Sequence, residues 1–446
     1  MKQLAFMIAF TVLGTVGVIF NPFYGVFTYY LFAVLRPQFI WQWSLPPGIN
    51  WSLYVSLATI SIAILCLLEV FPPDARHPSD IRHAHRPTAG HTAFALFAVW
   101  ICLTYFTALN HDAAFMWFTE YLKIFLMYFI AAYLIRTAGQ VWALFLMVGL
   151  SLGYISYEIN FLYFVNGYLG IHRNGYGGLD NNGAGLMLAM GAPVCYFAFE
   201  AVNGRIRWLF LLLVPAIVHA VLMTYSRGAM LSLVVVVPLA FFRSRMKIRF
   251  LGGLGLFILF MLPVLAGKEI RERFVSIQQS EIDESAQLRR ASWLAAYRIA
   301  QDYPVFGVGI RNANLLSYHY GADIAGRTIH SQYLQILADN GFVGLGLYLV
   351  ALGTAWWGLR QARVSVRGRK DQEAVRVRAM SAGLECTLAL FCFGAIFLSL
   401  EVFELPFLVL LLAAQLPLVC GALDAPTVLP GTREEPIAQD TLVRAG

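Results

Sequence analysis

Charge is what this chain lacks most. Only 13% of its 446 residues are Asp, Glu, Lys or Arg, about half the share of an average soluble domain. That scarcity excludes a soluble globular enzyme, a disordered chain and a nucleic-acid-binding domain. Cysteine pairing is missing too. Cys66, Cys102, Cys195, Cys386, Cys392 and Cys420 all lie in or beside apolar segments, and none forms a CxxC pair. No Cys/His cluster has zinc spacing, so the thiols read as small core side chains and no metal is expected. No small-residue cleavage site follows the first apolar run after Lys2, so that run reads as a retained span rather than a signal peptide. No soluble domain interrupts the apolar segments, and no internal repeat is evident.

What the chain has is apolar length. Hydrophobic residues make up 59%, and mean hydropathy is +0.66. A bilayer core about 30 Å thick takes about 20 residues of helix. Apolar runs fall at 4–20, 22–35, 51–71, 92–109, 116–135, 140–157, 183–201, 207–223, 227–243, 249–266, 342–360, 380–400 and 403–421. Asn21-Pro22 breaks the first pair, and the second run is short, which leaves twelve or thirteen crossings. The reading is an all-α polytopic membrane protein of about twelve spans over 1–422, with a Pro-containing tail over 423–446.

Basic residues orient it. Arg76, Arg82 and Arg86, then Arg205 and Arg207, then Arg243, Arg245, Lys247 and Arg249, then the run from Arg360 to Arg378 share one side when spans are counted. The positive-inside rule makes that side the cytoplasm. The other side carries loops over 158–182 and 267–330. The second is the longest non-spanning stretch, and loops of that length are usually functional. Leu288, Ala291, Ser292, Ala295 and Ile299 recur there at helical spacing, and Pro304 with Gly307-Val308-Gly309 ends the helix. Trp293 and Tyr297 share the face of Arg290, as in a helix at a membrane surface. Asn340-Gly341 is a break, so a short helix starts near His330 and a true span near Phe342.

Positive charge on the outer side is then the anomaly. Arg173, Arg227, Arg289, Arg290, Arg298, Arg311 and Arg327 all fall there. The long loop also holds seven acidic residues, which accounts for much of its charge as solvated surface. Arg227 differs, because it sits in a very short connection between two apolar spans. A cation at a helix N-terminus opposes the dipole, which argues against simple snorkelling. Its natural partner is an anion, since guanidinium binds phosphate through two N–H groups.

Tyr225-Ser226-Arg227-Gly228-Ala229 resembles the Ser-Arg-Gly signature of the O-antigen ligase and O-antigen polymerase superfamily. Arg290-x-x-Trp293 followed by Pro304-Val305-Phe306-Gly307-Val308-Gly309 resembles its long-loop signature. His330-Ser331-Gln332-Tyr333-Leu334 and then Asn340-Gly341-Phe342-Val343-Gly344 resemble its histidine helix entry, with Ser331 where the family usually has Asn. Asp180-Asn181-Asn182 before a span with Pro193 also fits. The resemblance covers roughly 150–420. Pro22-Phe23-Tyr24-Gly25 and Leu35-Arg36-Pro37-Gln38 resemble a narrower branch, the O-glycosylation ligases that accompany the exosortase A system.

The resemblance implies transfer of a glycan from undecaprenyl diphosphate, at the periplasmic face of the bacterial inner membrane. It implies an inverting reaction with no metal and no cofactor. Arg227 and Arg290 match the family's arginines, and adjacent Arg289 is the alternative contact. Fixed arginines can neutralise a diphosphate leaving group in place of a divalent cation. His330 is the expected general base, with Glu401 and Glu404 as rivals for the role. Arg173, Asp180, Arg311, Glu401 and Glu404 are candidate substrate contacts. Lipid A-core, a second lipid-linked glycan or a protein hydroxyl are the competing acceptors, lipid A-core first. A transporter of the same lipid-linked glycans is the rival class. Against it, distinctive residues gather at the outer rim, whereas transport sites lie near mid-membrane.

His77, His83, His85 and His91 match no zinc spacing. Glu120 and Lys123, one turn apart, read as a local ion pair.

Overall fold

A computed structural model describes residues 2–70, 87–167, 170–261 and 284–423. It is 79% helical with no strands among the described residues, which makes the chain an all-α polytopic membrane protein. The helices are α1 (Lys2–Val16), α2 (Phe23–Leu35), α3 (Pro37–Ile40), α4 (Trp51–Leu67), α5 (Ala89–Phe106), α6 (His111–Leu134), α7 (Ala138–Asn166), α8 (Ile171–Asn174) and α9 (Asn181–Ala201). They continue with α10 (Arg207–Met223), α11 (Arg227–Arg243), α12 (Lys247–Leu256), α13 (Glu284–Asp302), α14 (Asn312–Leu316), α15 (Gln332–Ser365), α16 (Gln372–Gly394) and α17 (Glu404–Leu423). Eight described helices are long and apolar enough to cross a membrane, and α4 and α10 are shorter apolar helices. The tail, the start of the long loop, and His77, His83 and His85 lie outside the described residues.

Helix α9 is the hub, with 94% of its span buried. Its small residues let neighbours approach closely, as membrane packing requires. A Cβ added at Gly185 would meet Thr224 Oγ1 at 2.7 Å, and one at Gly191 would meet Leu152 at 2.8 Å. Pro193 is tolerated because adjoining helices surround the freed backbone. By contrast only 22% of the first span and 33% of α6 are buried; their remaining apolar surface is what lipid would cover. Asn21 Oδ1 accepts from Phe23 N at 2.9 Å, which ends the first run where Asn21-Pro22 indicated.

Several boundaries differ from expectation: α7 runs on to Asn166, into the loop expected over 158–182, and one shift shapes the site. The run read as a span over 380–400 begins at Gln372, capped by Asp371, and ends at Gly394. Residues 395–400 form an apolar but non-helical turn. Hydropathy could not separate that turn from the helix before it. Its backbone still needs partners, and Gln332 supplies them. Gln332 N donates to Ala395 O at 2.8 Å and Leu398 O at 3.0 Å. Its side-chain Oε1 accepts from Leu400 N at 2.6 Å.

The basic end is closed by two buried carboxylates. Glu385 holds both Arg243 and Arg363, joining α16 to α11 and α15. Glu200 accepts from Tyr196 Oη at 2.9 Å and Arg245 N at 3.2 Å. Glu120 and Lys123 pair at 2.6 Å on the surface of α6.

Candidate functional site

The site end of the bundle is assembled by glycines. Gly341 interrupts α15 with φ 73° and ψ 180°, because a Cβ there would lie 2.0 Å from Val305 O. Phe342 N donates to Pro304 O at 2.8 Å, and Gly309 N to Asp339 O at 2.8 Å. The 304–309 motif therefore lies backbone to backbone on the 339–342 break. Trp100 Nε1 donates to Asn340 O at 2.9 Å, and Thr104 Oγ1 to Asn340 Oδ1 at 2.7 Å, fixing both to α5.

Above that base the loop builds a small core of its own from Ala296, Ile299, Val308, Ala313, Ile329 and Ala338. Helix α13 therefore rests on the first half of α15 through buried Ser292, Ala296 and Ile299. Tyr297 is 45% exposed. Helical phase then separates the two adjacent arginines. Arg290 is exposed on the Tyr297 side, and Arg289 is half-buried. Arg289 is one of the charges that bear on His330.

His330 is half-buried, two residues before α15, with φ 54°. Ser331 caps the helix, accepting from Leu334 N at 3.5 Å. Gln332, in the next position, clamps the 395–400 turn. Burial lowers the His330 pKa, with Arg289, Arg327 and Arg311 acting in the same sense and Asp180 opposing. The ring is therefore biased to its neutral, proton-accepting form.

Arg227 opens α11 behind Ser226, whose Oγ accepts from Ala229 N at 3.4 Å. The Asp180-Asn181-Asn182 motif docks on this connection. Ser226 Oγ donates to Asn182 Oδ1 at 3.0 Å, and Asn181 Nδ2 to Thr224 O at 3.1 Å. Asp180 caps α9 by accepting from Gly183 N at 2.7 Å. Three motifs then meet at one turn. A Cβ on Gly228, beside Arg227, would lie 3.3 Å from Phe397. Trp293, one helical turn beyond Arg289, has its ring 6.4 Å from that of Phe397. Gln332 ties the His330 segment to the same turn.

The remaining candidates divide. Arg311 pairs with Glu401 at 3.2 Å, its guanidinium 4.4 Å over the Trp117 ring. The Glu401 side chain is 1% exposed. Burial pushes its carboxyl up to about 8 against the pull of Arg311. A group so sealed is placed to position Arg311, not to reach an acceptor. Asp339 holds the Arg311 segment by accepting from Arg311 N at 2.8 Å and Ala313 N at 3.0 Å. Glu404 is half-buried at the start of α17, and Arg173 is exposed on α8 beside His172. Sequence reasoning did not single out Gln332, Asp339 or Trp117. Only the buried Asn340-Gly341 break beside Asp339 carried a signal.

Among the described residues no His, Cys, Asp or Glu cluster could hold a metal. His91 instead forms the capping box of α5 with Thr88. No curated protein matches the chain. Residues 208–349, which contain Arg227, Arg289, Arg290, Arg311 and His330, match a family model described as O-antigen ligase. Members of that family are membrane glycosyltransferases, and the match supports a likeness of this segment to the O-antigen ligase superfamily.

Proposed function

We propose that this protein moves a glycan from undecaprenyl diphosphate to an acceptor hydroxyl, lipid A-core first among acceptors, in the periplasmic leaflet of the inner membrane. One observation carries the reading. The connection holding Arg227, the helix holding Arg289 and the entry holding His330 all pack on the 395–400 turn.

In the proposed reaction neutral His330 takes the proton of the acceptor hydroxyl. The acceptor oxygen forms its bond to the anomeric carbon on the face opposite the diphosphate. The bond from that carbon to the phosphate oxygen breaks, and undecaprenyl diphosphate leaves with the electron pair. Arg227 and Arg289 neutralise the charge that grows on it, fixed in place before the reaction. Arg290 is the family-matched alternative to Arg289. Arg311 adds to the field with Glu401 and Asp339 holding it, and Asp180, Arg173 and Glu404 line the approach. Attack from the opposite face inverts the anomeric centre, and the arginines fill the role a divalent cation would play.

A protein hydroxyl is the second acceptor reading. The Leu35-Arg36-Pro37-Gln38 motif supports it, because Arg36 packs on the loop that carries Asp180. A second lipid-linked glycan would make the reaction a polymerisation.

Purified protein in nanodiscs, given a lipid-linked glycan with EDTA and each acceptor separately, tests this. Transfer to one acceptor, lost in His330→Ala and Arg227→Ala, is the expected result. A competent donor that transfers to none of the three would overturn the reading in favour of transport.

A further inference from the structure

Arg36 belongs to no part of the mechanism above and lies outside the family-matched segment 208–349. It has a left-handed backbone, φ 51° and ψ 51°, between α2 and α3. Such a conformation is costly for a side-chain-bearing residue and is a pointer to function. Its guanidinium carbon lies 4.7 Å from the centre of the Phe39 ring and 5.6 Å from that of Phe403. It is half-buried, and the side-chain contacts it makes among the described residues are with these two rings. Its nitrogens are not among the sealed, unpartnered atoms of the described residues, so the N–H groups remain open to a ligand.

Three neighbours tell which ligand fits. Glu404 directly follows Phe403, over whose ring the Arg36 guanidinium lies, and it is the carboxylate that bears most on the Arg36 charge, so a donor and an acceptor group are neighbours here. Glu120, the next carboxylate, already pairs with Lys123. Phe39 is 42% exposed and offers an apolar face beside them. Gly177 and Gly178 close the third side. Added Cβ atoms there would sit 3.3 Å from Arg36 Cδ and 3.1 Å from the Phe39 ring, so side chains at 177 and 178 would crowd both groups. A second phosphate would meet Glu404 unfavourably. A pyranose ring suits the set, with hydroxyls for the guanidinium and the carboxylate and a C–H face for the aromatic ring.

We propose that Arg36, Glu404 and Phe39 form a saccharide subsite that grips a sugar of the donor glycan or of a glycan acceptor. The subsite rests on the transfer reading for its role but not for its chemistry. The turn at 177–178 runs on to Asp180, whose charge reaches His330. A sugar held there is joined through one short loop to the reacting groups.

The test uses the full chain in nanodiscs and two probes freed of lipid, the donor oligosaccharide and the core oligosaccharide. Binding is read by ligand-observed NMR for wild type, Arg36→Gln and Glu404→Gln. Transfer is then measured while donor and acceptor are varied in turn. The expected result is a rise of five-fold or more in Kd for one probe in both variants. The KM of the matching substrate should rise in parallel, which names donor or acceptor. Affinity for sugar-free undecaprenyl diphosphate should stay within two-fold. The proposal is overturned if both variants bind the probes like wild type, or if the loss falls on undecaprenyl diphosphate. It is also overturned if wild type binds neither probe. Sugar binding through Arg36 without any transfer keeps the subsite and removes the transfer reading. Should Arg36→Gln not fold, Phe39→Ala, on the surface, decides alongside Glu404→Gln.

Discussion

His330 lies in the field of Arg289, Arg327 and Arg311, the last paired with Glu401, and the exposure of each group bears on the role proposed for it. A general base contributes roughly 10²- to 10⁴-fold, so His330→Ala is expected to lose at least about 100-fold in kcat. Glu401→Gln keeps the shape of a sealed side chain and should retain most activity; a loss as deep as that of His330→Ala would transfer the base role to Glu401. The pH profile gives a second check. An unperturbed histidine titrates near about 6.5, and burial with Arg289, Arg327 and Arg311 lowers His330 below that. Activity should therefore fall on the acid side only below the ordinary histidine range. Removing one positive neighbour makes the imidazolium less costly and raises the pKa. Arg289→Gln should move the acid limb of kcat/KM to higher pH, and a shift the other way would place Arg289 elsewhere. The placement behind these proposed roles was only partly readable in the sequence. His330 and Arg227 stood out by motif and setting. Arg289 against Arg290 is a matter of which face of α13 rests on α15, and that face is set by contacts with Ile329 and Ala338.

At the scale of elements, apolar runs and breaks were legible, and tertiary turns were not. Asn21-Pro22, Pro304 and Asn340-Gly341 mark real interruptions because each follows from local backbone chemistry. The 395–400 turn left no trace, because its residues are as apolar as the helix before it and its hydrogen bonds come from Gln332, far away in sequence. The joint at the other end makes a sharper forecast. Glu385 is the shared anion of Arg243 and Arg363, with its side chain 0% exposed. Glu385→Ala would leave two part-buried cations facing each other, at a cost of about 3 kcal/mol. A clear fall in the thermal unfolding temperature in detergent should follow, partly restored by also changing Arg243→Met. An unchanged melting curve would mean that α11, α15 and α16 are held by packing alone.

At the scale of the whole molecule, charge decides which way up the bundle sits. In the reading by the positive-inside rule the basic groups lie opposite His330; among the described residues, Arg243, Arg245 and Arg363 are joined there to the buried Glu385 and Glu200. In intact spheroplasts Arg173→Cys should react with a membrane-impermeant maleimide, and Gly204→Cys should react only after lysis. The reverse pattern would invert the topology and move the site to the cytoplasm. The native thiols interfere little, since four of the six are buried and the other two are partly so.

The segment that matches the family model does not contain its own keystone. Residues 208–349 hold the arginines and the histidine, yet Phe397, Leu400 and Glu401, which seat them, come later in the chain, and the Asn181-Asn182 dock comes earlier. Recombination between relatives that exchanged only the signature segment would import the chemistry without its mounting. Chimeras of this protein should then keep their fold and any activity when the neighbours of that turn travel together with the matched segment, and lose both when the segment is exchanged alone.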